Sequence, residues 1–269
     1  MNLVDKVAKF ELQTVQFNGV TQSYRESGKG KTIILLHGIS SGSASWIKQF
    51  EDLADHFHLI AWDAPGYGLS DALDTMQPNA ADYAHRIKGL FEALHLEQAI
   101  VVGHSLGALQ AAAFNALYPD CVEALVLANV AQGYKGFDEQ KQKDVFEKRP
   151  KMLQTLGATG MAQSRGPHLV AHATAPVMGL IELVMQSISL KGFTQASYLL
   201  AYDAIQSYLT HKQKNTHVVM GMSDGITPAK DIQALAESYE LNQCYQIENA
   251  GHLSYLDQAE LFNQILLSL

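Results

Sequence analysis

Ala99-Ile100-Val101-Val102-Gly103-His104-Ser105-Leu106-Gly107-Ala108-Leu109 is the stretch that decides how this chain is read. It opens on a short apolar, β-branched run of the kind buried on both faces of a parallel sheet. From Leu106 to Leu117 the sequence turns Ala-rich, as a helix would. The two glycines between them allow a sharp turn free of side-chain clash. The spacing therefore predicts strand, tight turn and helix, with Ser105 projecting at the carboxyl end of the sheet. The N–H groups that open the helix then face any oxyanion forming beside that serine. A serine hydroxyl is a poor nucleophile until it is exposed, fixed in place and hydrogen-bonded to a base. The turn meets the first two conditions, and the base has to come from elsewhere in the chain.

Working outward from this unit, strands and helices alternate. Upstream, Lys9–Phe17 and Val20–Ser27 read as two strands joined at Asn18-Gly19, a strong hairpin signal because both residues tolerate positive φ. Thr32–Leu36 is a buried strand, Ser45–Phe57 a helix, His58–Asp63 a strand and Ala80–Leu96 a helix. Downstream, Ala124–Ala128 is a further strand, and then the rhythm stops. Between Ala131 and about Lys214 there are only helix-like pieces, around Asp138–Leu156, Ala175–Ser189 and Thr194–His211. Alternation resumes with strand Thr216–Met220, helix Ala229–Tyr239, strand Cys244–Ile247 and helix Tyr255–Leu267. Thr227-Pro228 suits the start of the first of these helices, Thr as N-cap and Pro at the first helical position. The fold class expected is α/β: a mostly parallel eight-stranded sheet flanked by helices. Residues 1–130 and 214–269 form its core, interrupted by a helical insertion over 131–213 that is too long for an ordinary loop.

Composition narrows the function classes. The 269 residues are 47% apolar and 17% charged, with a formal net charge of −8, which repels polyanions. The cluster Lys141-Gln142-Lys143 is offset by Asp138, Glu139 and Asp144, so nucleic acid is not an expected partner. Cys121 and Cys244 stand far apart without metal-like spacing, and neither a disulfide nor a metal is expected. The first residues lack the apolar core of a signal peptide, and the most lipophilic stretch, Ala175–Leu190, contains Glu182 and is short for a bilayer. A cytoplasmic protein acting on a small molecule, with no cofactor and no membrane contact, is the expectation. The oligomeric state stays open.

Four more motifs follow the family order of a known group. His37-Gly38 stands after a buried strand, and Asp63-Ala64-Pro65-Gly66-Tyr67-Gly68-Leu69-Ser70 after the next. Gly221-Met222-Ser223-Asp224-Gly225-Ile226-Thr227-Pro228 and Gly251-His252 come near the end. With Gly-x-Ser-x-Gly at 103–107, they make the chain resemble the α/β-hydrolase superfamily over nearly its whole length. That resemblance implies Ser105 as nucleophile, His252 as general base and Asp224 as the acid that orients it. It also implies an oxyanion hole from the backbone N–H groups of Leu106 and Ile39, and a cap formed by the insertion.

The residues support the same assignments. Of eleven histidines, His252 lies just past the last strand, where a loop brings imidazole over Ser105. His37 reads as structural under the family pattern. His104 adjoins the nucleophile, points away from it and reads as packing, while His168 and His172 carry little motif information. Asp224 follows a strand at the same end of the sheet as Ser105. Its main competitor, Asp63, comes before the serine, which is the wrong chain order. The end of the strand before the insertion, where some relatives carry the acid, holds Asn129, an amide that cannot replace a carboxylate.

A serine at the turn argues against dehalogenases and epoxide hydrolases resembling this fold, which use Asp there. The reading is hydrolysis of a carboxylic ester, lactone or thioester of a small or medium hydrophobic substrate through an acyl-enzyme. The cap is expected to roof the pocket, where Met178, Leu180, Leu183, Val184 and Met185 offer flexible apolar contact area, with simple helix packing an equal reading for any single one of them. The alternative is a carbon–carbon hydrolase of ring-fission dienones, whose loop resembles His37–Trp46. Those enzymes usually carry Asn before the nucleophile and Trp after the histidine, where this chain has His104 and Leu253. A ligand receptor with little turnover on the same fold is the alternative of a different class.

Overall fold

In the computed structural model, which describes residues 2–269, the hairpin at Asn18-Gly19 forms as the dipeptide predicts. Asn18 and Gly19 have φ of 50° and 78°, joining β1 (Gln13–Phe17) to β2 (Val20–Ser27). The expected start at Lys9 is not observed. Leu3 and Val7, four residues apart and both buried, instead make one face of the short helix α1 (Leu3–Val7), opened by a capping box between Asn2 and Asp5. Phe10 then stacks on Phe50 with ring centroids 5.1 Å apart, so the chain reaches the sheet only at Gln13.

The remaining strands are β3 (Lys31–Leu36), β4 (Phe57–Trp62), β5 (Ala99–His104), β6 (Val122–Ala128), β7 (Thr216–Gly221) and β8 (Gln243–Ile247). They make one sheet of eight in the order β1-β2-β4-β3-β5-β6-β7-β8. Both pairs that involve β2 are antiparallel, and every pair from β4 through β8 is parallel. Every residue of β5 and β7 is buried, and the middle of each is an apolar run, Ile100-Val101-Val102 and Val218-Val219-Met220. Outside the sheet lie α2 (Ile47–Leu53), α3 (Ala80–Ala93) and α4 (Leu106–Leu117). Each of the first nine residues of α4 is buried, consistent with its apolar, Ala-rich composition.

Topology locates the site. β3 sits between β4 and β5, so the chain leaves β3 toward one edge of the sheet and leaves β5 toward the other. At such a switch point the two departing loops part and leave a crevice beyond the carboxyl ends of the strands. The segment from His37 follows β3, and Ser105 follows β5.

Between β6 and β7 no segment joins the sheet among the described residues. The chain builds α5 (Glu139–Arg165), α6 (Ala175–Gln186) and α7 (Leu190–Tyr202), with α5 against both of the others. The first helical piece does not stop near Leu156. Gly157, at φ 65° and ψ 179°, kinks the helix and lets it continue to Arg165. Three further helices complete the chain: α8 (Ala229–Ser238), α9 (Ser254–Asp257) and α10 (Ala259–Leu267). Among the described residues, no helix is long and apolar enough to cross a membrane.

Candidate active site

Ser105 is the residue between β5 and α4, at φ 54° and ψ −116°. A side chain in that region costs about 1–3 kcal/mol, and the surroundings enforce it. The Ser105 N–H donates to the Ala128 carbonyl at 2.9 Å, and its carbonyl accepts from Ala108 and Ala131 at 3.0 and 3.2 Å. A Cβ on Gly107 would run into the Leu36 carbonyl oxygen, and one on Gly103 into the Gly107 carbonyl. Both glycines are therefore required by close backbone approach, and the turn presents the hydroxyl outward.

His252 follows β8 in a loop pinned on three sides. The Gly251 N–H donates to Asp257 Oδ2 at 2.8 Å, and the Leu253 N–H to the Leu169 carbonyl at 2.8 Å. The third bond reaches the His252 carbonyl, which accepts from His104 Nε2 at 2.7 Å. So held, the buried imidazole has Nε2 2.9 Å from Ser105 Oγ and Nδ1 2.8 Å from Asp224 Oδ2. The three side chains that the sequence singles out thus lie in one hydrogen-bonded line, with Nε2 free to accept from the serine when Nδ1–H donates to the carboxylate.

Asp224 is saturated with donors. Oδ1 accepts from the N–H groups of Ile226 and Thr227 at 2.8 and 3.0 Å. Oδ2 accepts from Asn129 Nδ2 at 2.8 Å, Thr227 Oγ1 at 2.6 Å and the imidazole. Burial works against the carboxylate charge, but the bonds from His252, Thr227 and Asn129 outweigh it and hold the group well below the usual carboxylate range.

Two of these partners correct or extend the sequence reading. Thr227 is not the N-cap of α8: that position belongs to Pro228, and the Thr227 hydroxyl is spent on Asp224 instead. A carboxylate three residues back is a stronger acceptor than water for that hydroxyl. Asn129, at the end of β6 with φ 46°, donates to Asp224 and accepts from Ser254 Oγ at 2.6 Å. It therefore acts as a brace for the acid. His104 likewise does more than pack, because it fixes the carbonyl of the histidine loop. Burial, with the charge of His252 second, pushes its imidazole down to about 3, so it is neutral near pH 7.

The other competitors are structural by contact. His37 Nδ1–H donates to the Gly38 carbonyl at 2.8 Å, and its Nε2 accepts from the Ala64 N–H at 2.9 Å. It ties the loop that carries Ile39 to the loop after β4. Asp63 accepts from the Ser43 N–H at 2.7 Å and from Ser23 Oγ at 3.0 Å, and makes no hydrogen bond to Ser105 or His252.

Ser105, His252, Ile39 and Leu106 line one cavity of about 450 Å³. Among the described residues, the N–H groups of Ile39 and Leu106 find no protein acceptor, leaving them for a ligand oxygen. Of the two readings of the apolar residues on α6, helix packing is the one observed. None of Met178, Leu180, Leu183, Val184 and Met185 lines this cavity. The apolar face of α6 is used against α1 and the Ser43–Trp46 turn, and Leu183 and Val184 face a separate cavity. The roof instead comes from Tyr134, Phe137, Leu169 and Leu200, with two cations, Arg149 and Arg165. Neither arginine stands in a recognisable motif, and sequence reasoning missed both.

Comparison with known proteins matches this architecture. A family model described as alpha/beta hydrolase fold matches residues 31–259. A 2-(acetamidomethylene)succinate hydrolase of Mesorhizobium japonicum is 38% identical over 140 residues, 52% of this chain and 49% of that protein. A 2-hydroxy-6-oxo-6-phenylhexa-2,4-dienoate hydrolase of Comamonas testosteroni is 31% identical over 108 residues, 39% of this chain and 38% of that one. The aligned stretches thus span half or less of these relatives. Among solved structures, a thermophilic esterase from Thermogutta terrifontis, with malate bound, superposes with a TM-score of 0.84. The match covers 96% of this chain and 97% of that one at 22% identity, a likeness of fold.

Proposed function

We propose, from the premise that the chain belongs to the α/β-hydrolase fold family, that it is a serine hydrolase cleaving a carboxylic ester, lactone or thioester. The observation that carries this reading is the line Ser105 Oγ to His252 Nε2 to Asp224 Oδ2, at 2.9 and 2.8 Å, beneath a cavity of small-molecule size. In the first half-reaction His252 Nε2 takes the Ser105 proton as Oγ bonds to the substrate carbonyl carbon. The oxyanion forms against the N–H groups of Ile39 and Leu106, each such donor contributing about a hundredfold or more. Asp224 holds the imidazolium in place. The intermediate collapses, the bond to the leaving alcohol oxygen breaks, and His252 returns the proton to that oxygen. In the second half-reaction water loses a proton to His252, attacks the acyl carbon, and the acid departs as Ser105 recovers its hydrogen. The helical segment 131–213 serves as the cap that roofs this chemistry.

A second reading has its own support in the Comamonas relative, named for a dienoate. In carbon–carbon hydrolysis the same serine attacks a ketone and the departing carbon leaves as a delocalised carbanion. Short p-nitrophenyl esters and a fluorophosphonate probe test the proposal. Turnover with labelling that Ser105→Ala abolishes supports it, bleaching of a coloured dienone without ester turnover transfers support to the second reading, and tight binding with neither points to a receptor.

A further inference from the structure

The sequence holds four arginines, and they divide into two kinds. Arg25 donates to the Phe10 carbonyl, and Arg86 to the Asp71 carbonyl at 3.0 Å. Arg149 and Arg165, both on α5, do neither. Among the described residues neither forms an ion pair, and each has a buried Nε with no hydrogen-bond partner. Both line the cavity that Ser105 and His252 line. Asp231 also lines it, but that residue is exposed and pairs with neither.

Burial, with Arg165's charge second, pushes Arg149 down to about 10, and burial lowers Arg165 as well, so both stay cations at neutral pH. Two cations lining one half-buried pocket, with no ion pair to either among the described residues, are a costly arrangement unless an anion enters. Their places are informative. Arg149 is near enough to Tyr67 for its charge to act on the phenol, and Tyr67 OH donates to the Ile39 carbonyl at 2.7 Å, on the loop of the oxyanion donors. Arg165 leads directly into the Gly166–His168 turn, followed by Leu169, whose carbonyl takes the N–H of Leu253 beside His252. Both arginines therefore line the same cavity as Ile39, Leu106 and His252, on a helix tied to the loops on either side of it.

Resting on the hydrolase reading, we infer that the substrate carries a carboxylate, gripped by Arg149 and Arg165 above the scissile carbonyl. A guanidinium presents parallel N–H donors that match a carboxylate bidentately, and two of them select a charged substrate over its neutral isostere. The chain's net charge of −8 makes this cationic roof a local exception, so the pocket has to capture its anion at short range.

The test has a binding arm and a turnover arm. Calorimetry on Ser105→Ala protein should show glutarate or succinate binding, weakened tenfold or more by adding Arg149→Met or, separately, Arg165→Met. Absence of binding, or binding that both variants leave unchanged, overturns the inference, and so does inorganic phosphate that binds tighter than either dicarboxylate. In the turnover arm, wild-type protein should hydrolyse mono-p-nitrophenyl glutarate about a hundredfold better in kcat/KM than its methyl ester. Either arginine variant should bring that ratio toward one, and Arg165→Lys should retain part of it. A wild-type ratio near or below one overturns the inference. Failure of both esters together with no fluorophosphonate labelling strikes the hydrolase reading alone, since calorimetry still decides the anion site.

Discussion

The floor and the roof of the cavity treat buried charge in opposite ways. Beneath the floor, behind His252, the Asp224 carboxylate takes five hydrogen bonds, from Ile226, Thr227 twice, Asn129 and His252. On the roof, Arg149 and Arg165 have no acidic partner among the described residues. A charge whose donors are all supplied by the protein is preorganised, and costs no rearrangement at the moment of reaction. A cation left without acceptors is destabilising until something else supplies them. On the proposed function, the contrast separates groups that act on the substrate's reacting atoms from groups that select which substrate arrives.

Substitutions on the floor should have the largest effects. Ser105→Ala or His252→Ala should lower kcat by about a millionfold. Asp224→Asn, which keeps the shape but loses the acceptor for Nδ1–H, should cost about ten-thousandfold. Both are read in steady-state ester assays. On the roof, Arg149→Met or Arg165→Met should act on the choice between charged and neutral esters, on the scale of tenfold to a hundredfold. The same variants should raise the urea midpoint, by on the order of 1 kcal/mol in stability, because each removes an unpaired half-buried cation. A floor variant that became more stable while losing selectivity, or a roof variant that lost stability along with it, would break the distinction.

Smaller effects probe the braces. Thr227→Val removes the 2.6 Å bond to Asp224 Oδ2 and should lower kcat about tenfold, with about 1–2 kcal/mol lost in stability. His104 supplies a pH test. Burial and the His252 charge push it down to about 3, so it is neutral in the folded protein and takes its proton on unfolding. Below about pH 6.5, the ordinary histidine value, the unfolded state binds more protons. Stability is therefore lost as pH falls from about 6.5, and the full loss is reached near 3. His104→Gln, which places an amide where Nε2 stood, should flatten that acid slope in urea titrations.

How much of this was legible in the sequence differs between the same two regions. The strand–turn–helix at Ser105 is local, set by Gly103 and Gly107, and so visible in five residues. Asp224 and His252 were visible through their order and their places after strands. Asn129, Thr227 and His104 were not, because their contribution lies in which atom faces which after β6, β7 and β8 are brought side by side. Thr227 looked like a helix cap because Thr-Pro suits one, and only the fold shows Asp224 competing for its hydroxyl. On the roof little was legible. Arg149 and Arg165 stand in no motif, and the kink at Gly157 carries the helix past Leu156 and changes where its second half points. The apolar stretch of α6 is plain in the sequence, but apolarity does not say which neighbour covers it.

The central claim is that Ser105 attacks a carbonyl and is itself acylated, and trapping that species tests it most directly. Wild-type protein mixed with a p-nitrophenyl ester, quenched in acid within milliseconds and digested, should yield a peptide containing Ser105 heavier by one acyl group. Unmodified Ser105 peptide, in a sample that is releasing p-nitrophenol, would contradict the account.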